Sequence, residues 1–254
     1  MSESNKRNFI VHGSILAIAG ILVRIIGMLY RIPVVNIIGS EGNGIYGAAF
    51  NIYNIMLVLS SYGLPMAVSK LVSARFTKKR YKSAAKVLRC SLMVAVCTGG
   101  IAALLVFFGA SFIENVIYGG GLPGLAVPLR ILAPTIFLVA ILGVIRGFFQ
   151  GQSTMIPTAV SQILEQIVNA IVSIAAGYGM MKAFASSPDV AAYGAAGSTL
   201  GTAMGALTAV LFMGFLYAVY TPTFNRLKRK DRHTENQSRD ASYYRTRAQG
   251  RFVR

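Results

Sequence analysis

The sequence contains no tryptophan, two cysteines, two histidines and only eight acidic residues against 25 lysines and arginines. Each shortage closes off a class of function. Cys90 and Cys97 are seven positions apart on one expected helix, which holds them ~10 Å apart along its axis and forbids a disulfide within that helix. His12 and His233 stand at opposite ends of the chain, and no cluster of Cys, His or carboxylate has metal-ligand spacing, so no metal site is expected. A phosphate-binding P-loop, a dinucleotide fingerprint, a G-x-S-x-G elbow and an H-E-x-x-H helix are all missing, which leaves no basis for an enzyme or for a bound cofactor. Without tryptophan, anchoring at a membrane interface falls to residues such as Tyr30, Arg31, Tyr118, Tyr178 and Lys182, which stand at the ends of apolar blocks.

What the sequence has in abundance is apolar surface. Apolar residues make up 54% and charged residues 13%, and the mean hydropathy is +0.58, beyond the range of an ordinary soluble domain. They come in blocks of about twenty or more, the length that crosses a ~30 Å hydrocarbon layer at ~1.5 Å per residue. The expected fold is an all-α polytopic membrane protein, a bundle of six transmembrane helices at about 9–38, 45–71, 87–112, 125–149, 156–185 and 190–220. A short terminus, residues 1–8, precedes them and a basic tail, residues 223–254, follows. The first block is too long for a signal peptide and carries Arg24 and Arg31 within it. The link Gly151-Gln152-Ser153-Thr154 is so short that the fourth and fifth spans are expected to be antiparallel neighbours.

Charge gives these spans a direction. When the breaks alternate between two sides, Lys6 and Arg7, the Arg75 to Arg89 loop, the turn after Arg146 and the tail all fall together. The opposite loops hold Glu41, Glu114, Lys182 and Asp189. The positive-inside rule places the basic side, and both chain ends, in the cytoplasm. In a soluble protein a formal charge of +17 would suggest nucleic acid as a partner. Here topology explains it, and the expected partner is anionic membrane lipid, at ~1 kcal/mol per surface cation. The tail holds ten of the 25 cations and too few apolar residues for a core, so disorder is expected there.

Ionisable and polar groups inside the spans are the functional candidates, because each charge costs at least ~2.5 kcal/mol at the bilayer centre. Arg24 and Arg31 are seven residues apart and share a helix face, forming a cationic stripe. The bland alternative has Arg31 snorkelling to headgroups and Arg24 paired with a carboxylate. In the fifth span Gln162, Glu165, Gln166 and Asn169 recur at helical spacing, a polar face that must look inward. Glu165 is open to pairing with Arg24 or with Arg130, or to titrating during transport. Arg146, near the inner end of its span, is expected to contact headgroups. Gly197, Gly201 and Gly205 let a neighbouring helix approach the sixth span. Pro33, Pro65 and Pro134 are expected to bend or end helices.

Five segments, taken in order, carry a family resemblance. They are Arg24-Ile25-Ile26-Gly27-Met28-Leu29-Tyr30-Arg31-Ile32-Pro33, Gly39-Ser40-Glu41-Gly42-Asn43-Gly44-Ile45-Tyr46, Ser61-Tyr62-Gly63-Leu64-Pro65-Met66-Ala67-Val68-Ser69-Lys70, Arg146-Gly147-Phe148-Phe149-Gln150-Gly151, and the run from Met155 to Gln166. The pattern resembles the polysaccharide-transport and stage V sporulation protein B branch of the multidrug/oligosaccharidyl-lipid/polysaccharide flippase superfamily. That resemblance implies one lobe of a MATE-like flippase fold in a bacterial cell membrane. It also implies a lipid-linked oligosaccharide or cell-wall precursor as substrate and alternating access around a cationic cavity. Arg24 would contact the substrate pyrophosphate, with Arg31, Arg130, Gln162 and Glu165 as further candidate binding residues. Family members carry two such lobes, so a second lobe from another chain or from self-association is expected as a partner. Two other readings remain: a cation-coupled drug exporter, whose cavity would be lined with carboxylates and aromatics, and a non-transporting membrane scaffold or inactive fragment.

Overall fold

The computed structural model describes the backbone of residues 3–231 and the side chains of residue 14 and residues 16–231. All regular structure among the described residues is helical: α1 (Glu3–Ser60), α2 (Leu64–Thr77), α3 (Tyr81–Phe112), α4 (Ala126–Gly151), α5 (Ile156–Ala183) and α6 (Val190–Lys230), with a π-helical turn at Ile113–Ile117 closing α3.

Helix α1 spans 58 residues, which as a straight rod would reach ~87 Å, nearly three times the hydrocarbon thickness. It does not run straight. Gly39 has φ 70° and ψ −175°, a conformation that glycine alone takes without strain. The Arg31 guanidinium then lies 5.6 Å from the Tyr46 ring centroid, whereas fifteen residues of continuous helix would separate them by ~22 Å. The chain therefore folds back at Gly39 into two arms, residues 3–38 and 40–60. Five helical stretches among the described residues are long and apolar enough to cross a membrane, the first being Leu16–Thr77. Divided at Gly39, that stretch supplies two crossings, which makes six.

The structure differs from the sequence expectation in two places. The second span, expected to be continuous over 45–71, breaks at a turn over residues 61–63 and restarts as α2 with Pro65 in its first turn, where a missing N–H costs nothing. The sixth helix does not stop near Tyr220 but continues to Lys230. Phe224 explains the extension. It is 1% exposed, stacked on Phe76 of α2 at 6.1 Å and set edge-on to Phe148 of α4 at 5.4 Å, so residues at the start of the expected disordered tail gain a buried anchor. Asp231, itself buried, accepts a 2.9 Å hydrogen bond from the Lys82 N–H in the first turn of α3, where the helix dipole favours a carboxylate. The rest of the tail lies outside the described residues.

Helix α4 is the central post, its apolar side chains buried along most of its length. Gly147 lets α2 approach so closely that a methyl group there would stand 2.5 Å from the Pro65 carbonyl oxygen. The neighbour that Gly197, Gly201 and Gly205 admit to α6 is α5, with Ala176, Ser173 and Glu165 among the residues in contact. At the opposite end of the bundle from Asp231, the Glu114 carboxylate accepts the N–H groups of Gly124 and Ala126 at 2.9 and 2.7 Å and so closes the start of α4. Replacing Glu114 by alanine is expected to cost about 1–2 kcal/mol of stability, read as a lowered thermal midpoint of the purified protein in detergent.

Candidate functional site

Helices α4 and α5 are joined by a tight turn but are not the packed neighbours expected: α4 packs mainly on α2, α3 and α6, and α5 on α1 and α6. The two meet only near the turn, where residues equally far from it come together. Arg146 and Ser161 are such a pair, and the Arg146 Nε–H donates to Ser161 Oγ at 2.9 Å. Ser161 Oγ in turn donates to the Thr158 carbonyl at 2.8 Å. One helical turn beyond Ser161, Glu165 Oε2 accepts from Arg146 Nη2 at 2.7 Å. The ion pair sits within the bundle, the two side chains being 14% and 27% exposed. It corrects two expectations: Glu165 pairs with neither Arg24 nor Arg130, and Arg146 turns inward instead of reaching for headgroups. The hydrogen-bonding serine and the carboxylate, both inside the bundle, make the inward rotamer the favoured one.

These side chains form part of the wall of an open hollow of about 290 Å³, lined by Gly20, Val23 and Arg24 from the first arm of α1, Arg146 from α4, and Gln162, Glu165 and Gln166 from α5. Gly20 contributes no side chain to the space. Among the described residues no carboxylate lies within 4.0 Å of Arg24. Two guanidinium groups and one carboxylate thus share the hollow, a net charge of +1, with two carboxamides beside them.

The other candidates lie elsewhere. Arg31, one to two turns of helix beyond the hollow, is exposed and caps the Tyr46 ring, a cation–π contact. The stripe formed with Arg24 therefore spans two different surroundings. Arg130 is exposed on the far half of α4, donates to Ser111 Oγ at 2.9 Å and does not line the hollow. Behind the hollow Asn169 ties three helices together: its amide donates to Tyr30 Oη at 3.2 Å, and its Oδ1 lies 2.9 Å from Ser173 Oγ and 3.4 Å from Thr202 Oγ1. The sequence assigned Arg146 to headgroups, and named Gln166 as part of the inward polar face of the fifth span without making it a binding residue.

A family model for polysaccharide biosynthesis proteins matches residues 10–241, nearly the whole described chain. The chain belongs to this family. Among polysaccharide biosynthesis proteins and their kin, it is 34% identical over 176 residues to the lipid II flippase MurJ of Bacillus subtilis (strain 168), covering 67% of this chain and 32% of that protein. Stage V sporulation protein B of the same organism is 30% identical over 210 residues, 82% of this chain and 39% of the relative. An uncharacterized membrane protein, YabM, again from Bacillus subtilis, is 30% identical over 232 residues, 91% and 41% of the two chains. The chain thus spans about a third to two fifths of the length of the curated relatives it matches. No solved structure matches it significantly. Membership of the polysaccharide biosynthesis family, with six apolar crossings, makes this a multi-pass membrane protein and one lobe's worth of a flippase-superfamily fold.

Proposed function

We propose that the chain is a six-helix lobe of a flippase that moves a lipid-linked oligosaccharide or cell-wall precursor across the bacterial cell membrane. The observation that carries this reading is the hollow. Two arginines placed among transmembrane helices cost several kcal/mol to insert, and among the described residues no carboxylate pairs with Arg24 to offset that cost. A substrate with phosphate oxygens supplies the missing anion, and a guanidinium binds such oxygens in its planar fork. Gln162 and Gln166 stand on the same wall to donate hydrogen bonds to sugar or phosphate oxygens. The name of one relative, a lipid II flippase, and the polysaccharide biosynthesis family support the same substrate class.

The protein is a transporter, not an enzyme: the residues around the hollow bind and release and break no bond. A single lobe walls one side of a path, so alternating access needs a second lobe, from another chain or from a second copy. The basic loop, the α4–α5 turn and both chain ends face the cytoplasm, where anionic lipid holds the cations. A cation-coupled drug exporter fits less well, because the hollow carries a net positive charge and would repel a cationic drug.

The test is translocation of a fluorescent lipid-linked precursor in sealed vesicles, with the chain alone and with a candidate second lobe. Precursor exposed on the far leaflet above the rate in empty vesicles is the expected result. Rates equal to those of empty vesicles in both arrangements would overturn the proposal.

A further inference from the structure

We infer that Glu165 is an internal competitor for the anion that enters the hollow, and that it keeps Arg146 in reserve as a second anion-binding group that only a ligand with two linked anionic groups recruits. The inference rests on the hollow being an anion site and deepens that reading. Its basis is the incompleteness of the ion pair. A carboxylate that locks an arginine in place meets it with two parallel bonds. Here one oxygen meets one nitrogen: Oε2 takes Nη2 at 2.7 Å, Nε is taken by Ser161, and among the described residues neither Nη1 of Arg146 nor Oε1 of Glu165 has a hydrogen-bond partner. Both side chains line the hollow and are partly exposed to it, so an entering anion has access to the free edge of the guanidinium.

The charge count then gives selectivity. A single anionic group is satisfied by Arg24, which no carboxylate among the described residues holds, and has no reason to displace Glu165. A diphosphate brings a second charged group, and the other cation lining the hollow is Arg146. Exchanging one oxygen anion for another at Arg146 leaves its charge compensated, while the Gln162 and Gln166 amides stand on the same helix to receive the released carboxylate. Glu165 therefore sets a threshold: a ligand with one anionic group binds at Arg24 alone, and a diphosphate, with two, binds across both arginines. Ser161 keeps Arg146 pointed at the hollow during the exchange.

The experiment measures binding of inorganic pyrophosphate and of inorganic sulfate to the full chain in nanodiscs, by calorimetry at one fixed pH, with Glu165→Gln, Glu165→Asp and the double variant Glu165→Gln/Arg146→Gln. Removing the competitor is expected to tighten pyrophosphate binding about five- to tenfold in Glu165→Gln. The shortened carboxylate of Glu165→Asp is expected to fall between that variant and the wild type, and the double variant to lose the gain. Pyrophosphate is expected to bind the wild type more tightly than sulfate. If Glu165→Gln folds, by circular dichroism, and binds pyrophosphate no more tightly than the wild type, the reserve role is wrong. If Glu165→Gln does not fold, wild-type affinity in Glu165→Asp overturns it equally. Measurable binding with no response to Glu165 rejects this inference alone, whereas no pyrophosphate binding by any variant rejects the anion-site reading beneath it.

Discussion

Arg24→Ala is expected to abolish precursor translocation, lowering the rate about a hundredfold or more in vesicles that also contain the second lobe. Arg24 is exposed until a substrate covers it, and truncating one partner of a charge pair so buried costs about 2–5 kcal/mol or more, each 1.4 kcal/mol being a factor of ten. Arg24→Lys keeps the charge but not the planar fork and is expected to retain a minor fraction of the rate. Arg130→Ala provides the contrast. Arg130 is exposed, bonded to Ser111 and apart from the hollow, so its loss is expected to leave the rate within about twofold of wild type. A flippase-depleted strain gives the same reading in cells, provided protein abundance is matched. Full complementation by Arg24→Ala at equal abundance would remove the hollow from the transport path.

Gly201→Val is expected to have the largest effect on the fold. A methyl group on Gly201 would stand 2.5 Å from the Asn169 carbonyl oxygen and 2.6 Å from the Ser173 backbone nitrogen. Both are main-chain atoms of a packed helix, which cannot swing aside as a long side chain would. Overpacking of this kind costs about 1–3 kcal/mol where the surroundings yield, and more where they are backbone. The variant is expected to force α5 and α6 apart, break the Asn169 network and shift Glu165, so that yield from the membrane collapses and the thermal midpoint falls by at least ~5 °C. Gly214→Ala is the matched control, since nothing lies within 4 Å of a methyl group there. It is expected to match or slightly exceed the wild-type midpoint through its better helix propensity. A Gly201→Val protein as stable as the wild type would mean that the two helices do not pack as described.

The crossings were legible in the sequence because insertion depends on composition over about twenty residues, a property each block carries by itself. The reversal at Gly39 was legible for the same reason: Gly39-Ser40-Glu41-Gly42-Asn43-Gly44 interrupts the apolar run. The break at Ser61-Tyr62-Gly63 was not, because no charge marks it and Pro65 alone does not say whether a helix is bent or begun. The extension of α6 stayed hidden because Phe224 is one apolar residue among cations, and its value lies in Phe76 and Phe148, distant in sequence. The candidate site divides along the same line. Arg24, Gln162 and Glu165 were identifiable as costly polar groups within apolar spans, each judged on its own. Which arginine Glu165 would choose depended on helix register across the α4–α5 turn, and only three-dimensional packing selects Arg146 over Arg24 and Arg130.

The bond between Asp231 and the Lys82 N–H joins residues 149 positions apart, and it bears on the order of events during synthesis. At about 5–20 residues per second, the start of α3 waits about 7–30 s for its acidic partner to leave the ribosome. Until then the first turn of α3 is uncapped, and Phe76 lacks the ring that later stacks on it. Arrival of the α6 end supplies both at once. The end of the lobe that carries the basic loop is thus the last part to set, a seal applied once the six crossings have been made.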